Sequence, residues 1–548
     1  MEAHGTYGPI TVPPSLNYFC VYNPTFGPTE ETQKDQLLYY TARKTVPMDV
    51  KMRQIGLAQG LVNFTRVFSP TKPCENVHTQ KNRLMFFEPE PNYWIHISIE
   101  LGHVKKIVKD KDGKPKTITD YLDANLHDSA IKRMLEIGYE MYKIFNGTFE
   151  MTVQTAGVKE LKNKLEECFA NWVLEWDFDK ADIAKTIDGI FYLPLSSPAH
   201  TQIASFVTQI KAEYSFISDA IILWQNKLVN SDNETITENE VRELWRYLVP
   251  LISERDLLEK EFEKRKKSKD GDKYSFKGFT HSFSGSNLFS YFSSTSPKAT
   301  PKVSPSSSPP NNAYFFGNSS TPPGTPHSAI LSPSTPTLSS LPSFLIGPQN
   351  LQNAGDIRPF TIYLSKKSTV NTDAKRNMEK IHGNYENDEH YLLVYKQNSL
   401  TVVLLIPNSL EGSKNINEIE FYRSVHNYLS SHSEDLIKIV NEDNEHSKKL
   451  GTDIDKEYRY LLFNKISLAI KSSLYPFTTP NIPPKGLTIT SEMVHSLCDL
   501  HEDLEKYPQM TEICTRSSTN FWIVGKRSEY QVLYVVVPKK EANLTEVE

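Results

Sequence analysis

The chain has 548 residues and a formal net charge of −5. No apolar run approaches the ~18 residues of a spanning helix, which argues against an integral membrane protein. With 61 basic residues against 66 acidic ones, bulk polyanion binding is excluded as well. At ~150 residues per domain, three or four domains are expected.

The five cysteines, Cys20, Cys74, Cys168, Cys498 and Cys514, form no CxxC pair and read as reduced cytosolic thiols. Met1-Glu-Ala-His-Gly5 lacks a basic region followed by an apolar core, so no signal peptide is expected. Glu2 stands where N-myristoylation needs glycine. In the cytosol the Asn-x-Ser/Thr triplets at Asn63, Asn146, Asn233, Asn318 and Asn543 would carry no glycan.

The chain repeats a theme: paired strands, an amphipathic helix, two strong strands, then more helix. In the first copy, Asn17–Tyr22 and Gln36–Tyr40 read as strands. A helix follows Pro47, with Met52, Ile55, Ala58 and Val62 on one stripe and Leu57, Leu61, Phe64 and Phe68 on another. Two stripes predict a helix buried over much of its circumference. Strands Arg83–Phe87 and Asn92–Leu101 come next, then a hairpin over Leu101–Leu122 with Asp112-Gly113 at its tip. Lys105, Lys106, Lys109, Lys111, Lys114 and Lys116 face only Asp110 and Asp112 there, a basic tip for solvent, phospholipid or an acidic protein face. Two helices close the unit. One carries Ile131 to Phe145 and stops at Asn146-Gly147; the other carries Val158, Leu161, Leu165, Cys168, Phe169, Trp172 and Trp176.

The second copy reads as interrupted. Strand Ile190–Leu195, a helix near Ala199–Tyr214, strand Phe216–Trp224 and helix Glu238–Leu248 precede the break; strands Phe360–Leu364, Tyr391–Tyr395 and Thr401–Ile406 and helix Asn417–Val440 follow it. Between them, 46 of the 70 residues in 281–350 are Ser, Thr, Pro, Gly or Asn, and none is acidic. Such a stretch cannot bury enough apolar surface to offset its ordering entropy, so residues 256–355 are read as a disordered insertion. It carries eight Ser-Pro or Thr-Pro steps, at Ser296, Thr300, Ser304, Ser308, Thr321, Thr325, Ser332 and Thr335, either phosphorylation sites or a by-product of composition. It opens on Lys264-Arg265-Lys266-Lys267, followed by aromatics from Tyr274 to Phe292, a pattern suited to an anionic membrane surface or simply to a solvated helix end.

The third copy has strands Tyr458–Phe463 and Ile466–Ile470, a helix on Met493, Leu497, Leu500, Leu504 and Tyr507 that Pro508 stops, and a hairpin of Phe521–Val524 with Tyr530–Val537. A closing helix is expected to be missing or very short. The expected class is α/β: three tandem modules with mainly antiparallel five-stranded sheets flanked by helices. This strand and helix order is that of longin or roadblock-like folds used in trafficking complexes. The modules span 15–178, 179–255 with 356–443, and 455–548.

Catalytic motifs are absent. Ser282-Phe-Ser-Gly-Ser286 is no nucleophile elbow, and Gly525-Lys-Arg-Ser528 lacks the first glycine of a phosphate loop. His495, Cys498 and His501 fan around a helix instead of converging, so no metal or cofactor is expected.

Phe19-Cys-Val-Tyr-Asn-Pro-Thr-Phe-Gly-Pro28, Val46-Pro-Met-Asp-Val-Lys51, Phe64-Thr-Arg-Val-Phe-Ser-Pro-Thr-Lys-Pro73, Val77-His-Thr-Gln-Lys-Asn-Arg83, Asp188-Gly-Ile-Phe-Tyr-Leu-Pro-Leu195, Tyr458–Asn464 and Trp522–Lys526 together resemble the vacuolar fusion protein family named for calcium-caffeine-zinc sensitivity. The resemblance spans nearly the whole chain outside the insertion. It implies three longin domains and an obligate heterodimer with the monensin-sensitivity longin protein. It also implies guanine-nucleotide exchange on the Rab GTPase of late endosomes and vacuoles, with peripheral recruitment from the cytoplasm to those membranes and no covalent catalysis. The competing reading is a longin-based scaffold or tether without exchange activity. In the family the first longin domains of both partners form the exchange platform. Candidate GTPase-facing residues are therefore Lys51, Arg53, Gln54, Gln59, Arg66, Lys72, His78, Gln80, Lys81, Asn82 and Arg83. Candidate membrane contacts are Lys105, Lys106, Lys264, Arg265, Lys266 and Lys267.

Overall fold

Alternation of side chains along each strand puts two apolar faces on the first sheet, so helices must cover it from both sides. The computed structural model describes residues 10–70, 74–109, 115–123, 126–178, 183–231, 235–267, 343–352, 357–365, 387–450, 458–474, 489–517 and 521–537. Lys72, the Asp112-Gly113 tip, the Ser-Pro and Thr-Pro steps, the aromatics after Lys267 and the segment expected to lack a closing helix lie outside these residues.

The first domain runs β1 (Ile10–Val12), β2 (Ser15–Tyr22), β3 (Leu37–Thr41), α1 (Met48–Phe68), β4 (Asn76–His78), β5 (Asn82–Glu90), β6 (Tyr93–Glu100), β7 (His103–Lys109), β8 (Pro115–Tyr121), α2 (Asp128–Asn146), α3 (Phe149–Ala156) and α4 (Val158–Phe169). Its antiparallel five-stranded sheet has the order β3-β2-β6-β5-β4. Tyr18, Cys20, Tyr22, Leu84, Phe86 and Trp94 face α1, whereas Phe19, Val21, Met85, Ile95, Ile97 and Ile99 face α2 and α4. The β7–β8 hairpin is present, but it pairs with β1 in a separate three-stranded sheet. Gly138 lets α2 sit against Trp172; a Cβ there would lie 2.4 Å from the indole ring.

Next come α5 (Ile183–Ile187) and β9 (Ile190–Phe191), then the second domain: α6 (Ser197–Glu213), β10 (Asp219–Trp224), β11 (Lys227–Ser231), α7 (Glu238–Lys267), β12 (Phe344–Ile346), β13 (Thr361–Ser365), β14 (Asn387–Gln397), β15 (Leu400–Pro407), α8 (Leu410–Ile416) and α9 (Ile419–Leu450). The sheet order is β11-β10-β15-β14-β12, with β13 also on β14. One face packs on α6 and α9, and the other on α7. The interval 256–355 is thus not insertion throughout, since α7 continues to Lys267 and β12 returns to the sheet edge. Beyond Leu248, Leu251 and Ile252 keep α7 on the core and prolong it.

The third domain has β16 (Arg459–Asn464), β17 (Ala469–Ser472), α10 (Ser491–Lys506), β18 (Glu512–Arg516), β19 (Trp522–Arg527) and β20 (Gln531–Val537). Its sheet order is β18-β19-β20-β16-β17-β9. Strand β17 starts later than Ile466 because the chain turns through Leu468, at φ 54°. Arg527 donates to the carbonyls of Leu504, Tyr507, Pro508 and Met510 at 2.6–3.0 Å, capping the end of α10, so Gly525–Ser528, the end of strand β19, serves the fold. The second and third sheets have six strands each where five were expected.

The expected strand Ile190–Leu195 holds the three domains together. Only Ile190–Phe191 is strand, and it runs parallel to β17 of the third sheet. The Ile190 N–H donates to Leu468 O at 2.7 Å, and three residues on the Leu193 N–H donates to Leu228 O of the second sheet at 2.8 Å. Gly189 permits this approach, because a Cβ would stand 2.7 Å from Ile470. Beside it, Asp188 accepts from Arg133 of α2 at 2.8 Å, from Arg246 of α7, and lies 3.5 Å from Arg242. Glu136, Glu140 and Glu243 complete the cluster, four acids against three arginines. Phe145 packs on Tyr247 and Phe360, continuing the joint in apolar contacts.

Burial pushes the carboxyl of Glu243 up to about 8, and the neighbouring Glu140 adds to this. Burial also opposes ionisation of Glu140, but its hydrogen bond with Glu243 and the charges of Arg133 and Arg242 outweigh that and hold it low. The pair therefore shares one proton, with Glu243 the holder.

Asp188→Asn should destabilise the chain by about 3 kcal/mol in denaturant unfolding, because three buried guanidinium groups lose a shared counter-charge. Glu243 binds its proton more tightly folded than unfolded. Stability should accordingly fall as pH rises from the ordinary carboxyl range toward about 8. Glu243→Gln should flatten that slope, measured as unfolding midpoints across this range.

Candidate functional site

Helix α1 buries Met52, Ile55, Ala58 and Val62 on the first sheet. At 100° per residue the opposite face presents Arg53, Gly56, Leu57, Gly60, Phe64, Val67 and Phe68. The second stripe is therefore a correction. Leu57, Phe64 and Phe68 are 55%, 65% and 74% exposed, and only Leu61 is half-buried. With no further layer above it among the described residues, a helix lying on one sheet covers only its sheet-facing side. Phe64 and Phe68 pack edge to face, 5.1 Å between centroids. A Cβ at Gly56 or Gly60 would touch nothing within 4 Å, so bare backbone lies beside the aromatic pair.

Polar side chains fringe this face. Lys51 lies 4.5 Å over the Tyr40 ring, and the Tyr40 hydroxyl donates to Gln54 at 2.8 Å. Gln59 donates to Gln36 at 2.8 Å. Arg66 pairs with Glu88 at 2.7 Å and stacks over Trp94. Arg53 pairs with Asp49, both exposed. An open cleft of ≈ 400 Å³ beside the start of α1 is lined by Glu30, Lys34, Asp49 and Arg53. Beneath α1, His96 is hydrogen-bonded to Tyr18 and to Met85 O, both at 2.9 Å, and burial lowers its pKa to about 4, so it is a neutral core group.

Between β4 and β5, Thr79-Gln80-Lys81-Asn82 forms a tight turn closed by the Thr79 N–H donating to Asn82 O at 3.0 Å. Gln80 and Lys81 project into solvent. Arg83, grouped with them from the sequence, does not. Its guanidinium is buried and donates to Asp123, to Asp128 and to Leu126 O, tying β5 to the start of α2. His78 reaches the same two aspartates, at 3.5 and 2.8 Å. Arg53, Gln80 and Lys81 are thus the most accessible of the described GTPase-facing candidates, while Lys51, Gln54, Gln59, Arg66, His78 and Asn82 sit in local contacts.

Among the membrane candidates, Lys105 is exposed on β7 and Lys106 follows it, whereas Lys264, Arg265, Lys266 and Lys267 end α7 in another domain. His495, Cys498 and His501 diverge: His495 meets His127, Cys498 is buried, and His501 is 2.6 Å from the Tyr534 hydroxyl. Among the described residues no group of three or more His, Cys, Asp or Glu could hold a metal ion, and no helix is long and apolar enough to cross a membrane. The arrangement suits recognition of another macromolecule by shape. Sequence reasoning missed the unpartnered side of α1, although Gly56 and Gly60, four apart among large apolar residues, were a legible sign that backbone is left bare there.

Residues 16–147 match the family model for the first longin domain of INTU, CCZ1 and HPS4, and residues 455–548 match that for Intu longin-like domain 3. The chain is 27% identical over 537 residues to the vacuolar fusion protein CCZ1 homolog of Xenopus tropicalis, covering 97% of this chain and 94% of the relative. The homolog of Danio rerio is 27% identical over 539 residues, covering 97% and 92%. That of Dictyostelium discoideum is 21% identical over 537 residues, covering 97% and 94%.

Arg83→Ala should cost about 3 kcal/mol of stability, because it leaves Asp123 and Asp128 without their shared cation. Lys81→Glu, on the open turn, should stay within about 0.5 kcal/mol of the unmodified chain. Parallel denaturant titrations compare the two.

Proposed function

The chain belongs to the CCZ1 family of longin-domain vacuolar fusion proteins, and from that premise we propose that it is one subunit of a heterodimeric guanine-nucleotide exchange factor. Its substrate is the Rab GTPase of late endosomes and vacuoles, and its partner the monensin-sensitivity longin protein. Endosome maturation, fusion with the vacuole or lysosome, and autophagy are the processes served. The observation that carries this reading is the outward face of α1, with exposed Leu57, Phe64 and Phe68 beside bare Gly56 and Gly60. An apolar helix face rimmed by polar groups marks a protein interface. Burying these three side chains contributes about 2 kcal/mol each before the costs of association.

In this reading the first longin domain of the partner covers that face. The joined domains then present Gln80, Lys81 and their neighbours to the switch loops of the GTPase. Exchange needs no nucleophile. A surface that binds the nucleotide-free GTPase best displaces the loops holding GDP and its magnesium ion, and so raises GDP release by differential binding. Lys105, Lys106 and the basic end of α7 would add attraction to anionic membrane, at about 1 kcal/mol per basic residue near the surface.

The test is release of fluorescent GDP from the late-endosomal Rab by the reconstituted pair. Leu57→Asp with Phe64→Asp should lower partner affinity and exchange rate about tenfold or more while leaving thermal stability intact, since both residues are exposed. A pair that assembles on membranes but never accelerates release would favour the scaffold reading instead.

A further inference from the structure

The start of α2 is held from the third domain as well as from its own. The His127 Nε2 and His495 Nδ1 lie 3.1 Å apart, residues 368 positions distant in sequence. Glu502, two turns further along α10, accepts from the Ser129 N–H at 3.1 Å and from its hydroxyl at 2.8 Å. Asp499 stands 3.6 Å from the other nitrogen of His127. His127 is buried and His495 partly so.

Two imidazole nitrogens at hydrogen-bond distance can bond only if one carries a proton and the other a lone pair. We infer that the His127–His495 contact is a proton-sensitive joint between the first and third domains, closed while at least one ring is neutral and opened when both are protonated. The groups acting on His127, the residue just before α2, are His495, Asp499 and Glu502 from α10 and Arg83 from β5; Arg83 is itself paired with Asp123 of the preceding loop and Asp128 of α2, which His78 of β4 also reaches. Asp499 and Glu502 favour a first added proton. A second leaves neither facing nitrogen able to accept and sets two like charges in contact, with the cation of Arg83 behind them. Burial lowers the pKa of His127, so docking favours its neutral form. The sign follows: the joint is complete above the ordinary imidazole pKa of about 6.5 and loosens as the pH falls through it. Strand β9 anchors the third domain on its other side, so the motion is a lifting of α10 from α2.

Hydrogen exchange of the full chain, expressed as protection factors to remove the intrinsic pH effect, tests this. Between about pH 7.5 and pH 5.5, protection at the first turn of α2, including the Ile131 amide bonded to His127 O, should fall about tenfold, together with the first half of α10. His495→Asn, whose amide can still donate to His127, should stay closed across that range. His495→Leu, which can neither donate nor accept, should be open at both ends. An unchanged wild-type profile, or the same pH dependence in His495→Asn, overturns the inference.

Discussion

Three arginines that would be costly to bury apart are buried together, and Asp188 is the carboxylate they share. Arg133 comes from the first domain, Arg242 and Arg246 from the second, and the backbone beyond Asp188 enters the third sheet. Charges taken out of water need close partners, so this cluster fixes where the domains stand more strictly than apolar contact would. The apolar core agrees with it. One continuous cluster of buried side chains, with α2 and α7 at its centre, joins the inner faces of the first two sheets. The first domain therefore uses one face of its sheet for internal docking and leaves the outer side of α1 exposed.

That division explains the asymmetry of the two faces. On the inner side Gly138 brings α2 against Trp172, and rings from Phe19 to Trp176 interlock. On the outer side a Cβ at Gly56 or Gly60 would meet nothing within 4 Å, and Phe64 and Phe68 pack on each other while staying mostly exposed. The same residue type serves opposite purposes, close packing in one place and an open approach in the other.

Much of the fold was legible because periodicity is local. The helices on Met52–Val62, Ile131–Phe145 and Met493–Leu504 and the strong strands around Trp94, Val403 and Val535 follow from spacing alone. What failed was non-local. Nothing in Ile190–Leu195 shows that its first two residues add to a sheet nearly 280 residues away in sequence. Helix periodicity cannot say whether a second stripe on α1 meets the same molecule or another one. Arg83 looked like part of a polar surface run because its two aspartates lie 40 and 45 residues downstream. The basic and polar character of the site was readable; which members are already engaged internally was not.

Strand β9 carries a practical consequence. The edge of β17 is occupied by a segment that precedes the whole second domain, and Ile183 and Ile187 of α5 complete the core beneath it. A fragment cut at residue 455 would start with an open strand edge and an uncovered apolar floor, inviting self-association. In folding terms the last module cannot be finished by the ribosome-proximal chain alone: its missing piece is synthesised far earlier and must wait for it.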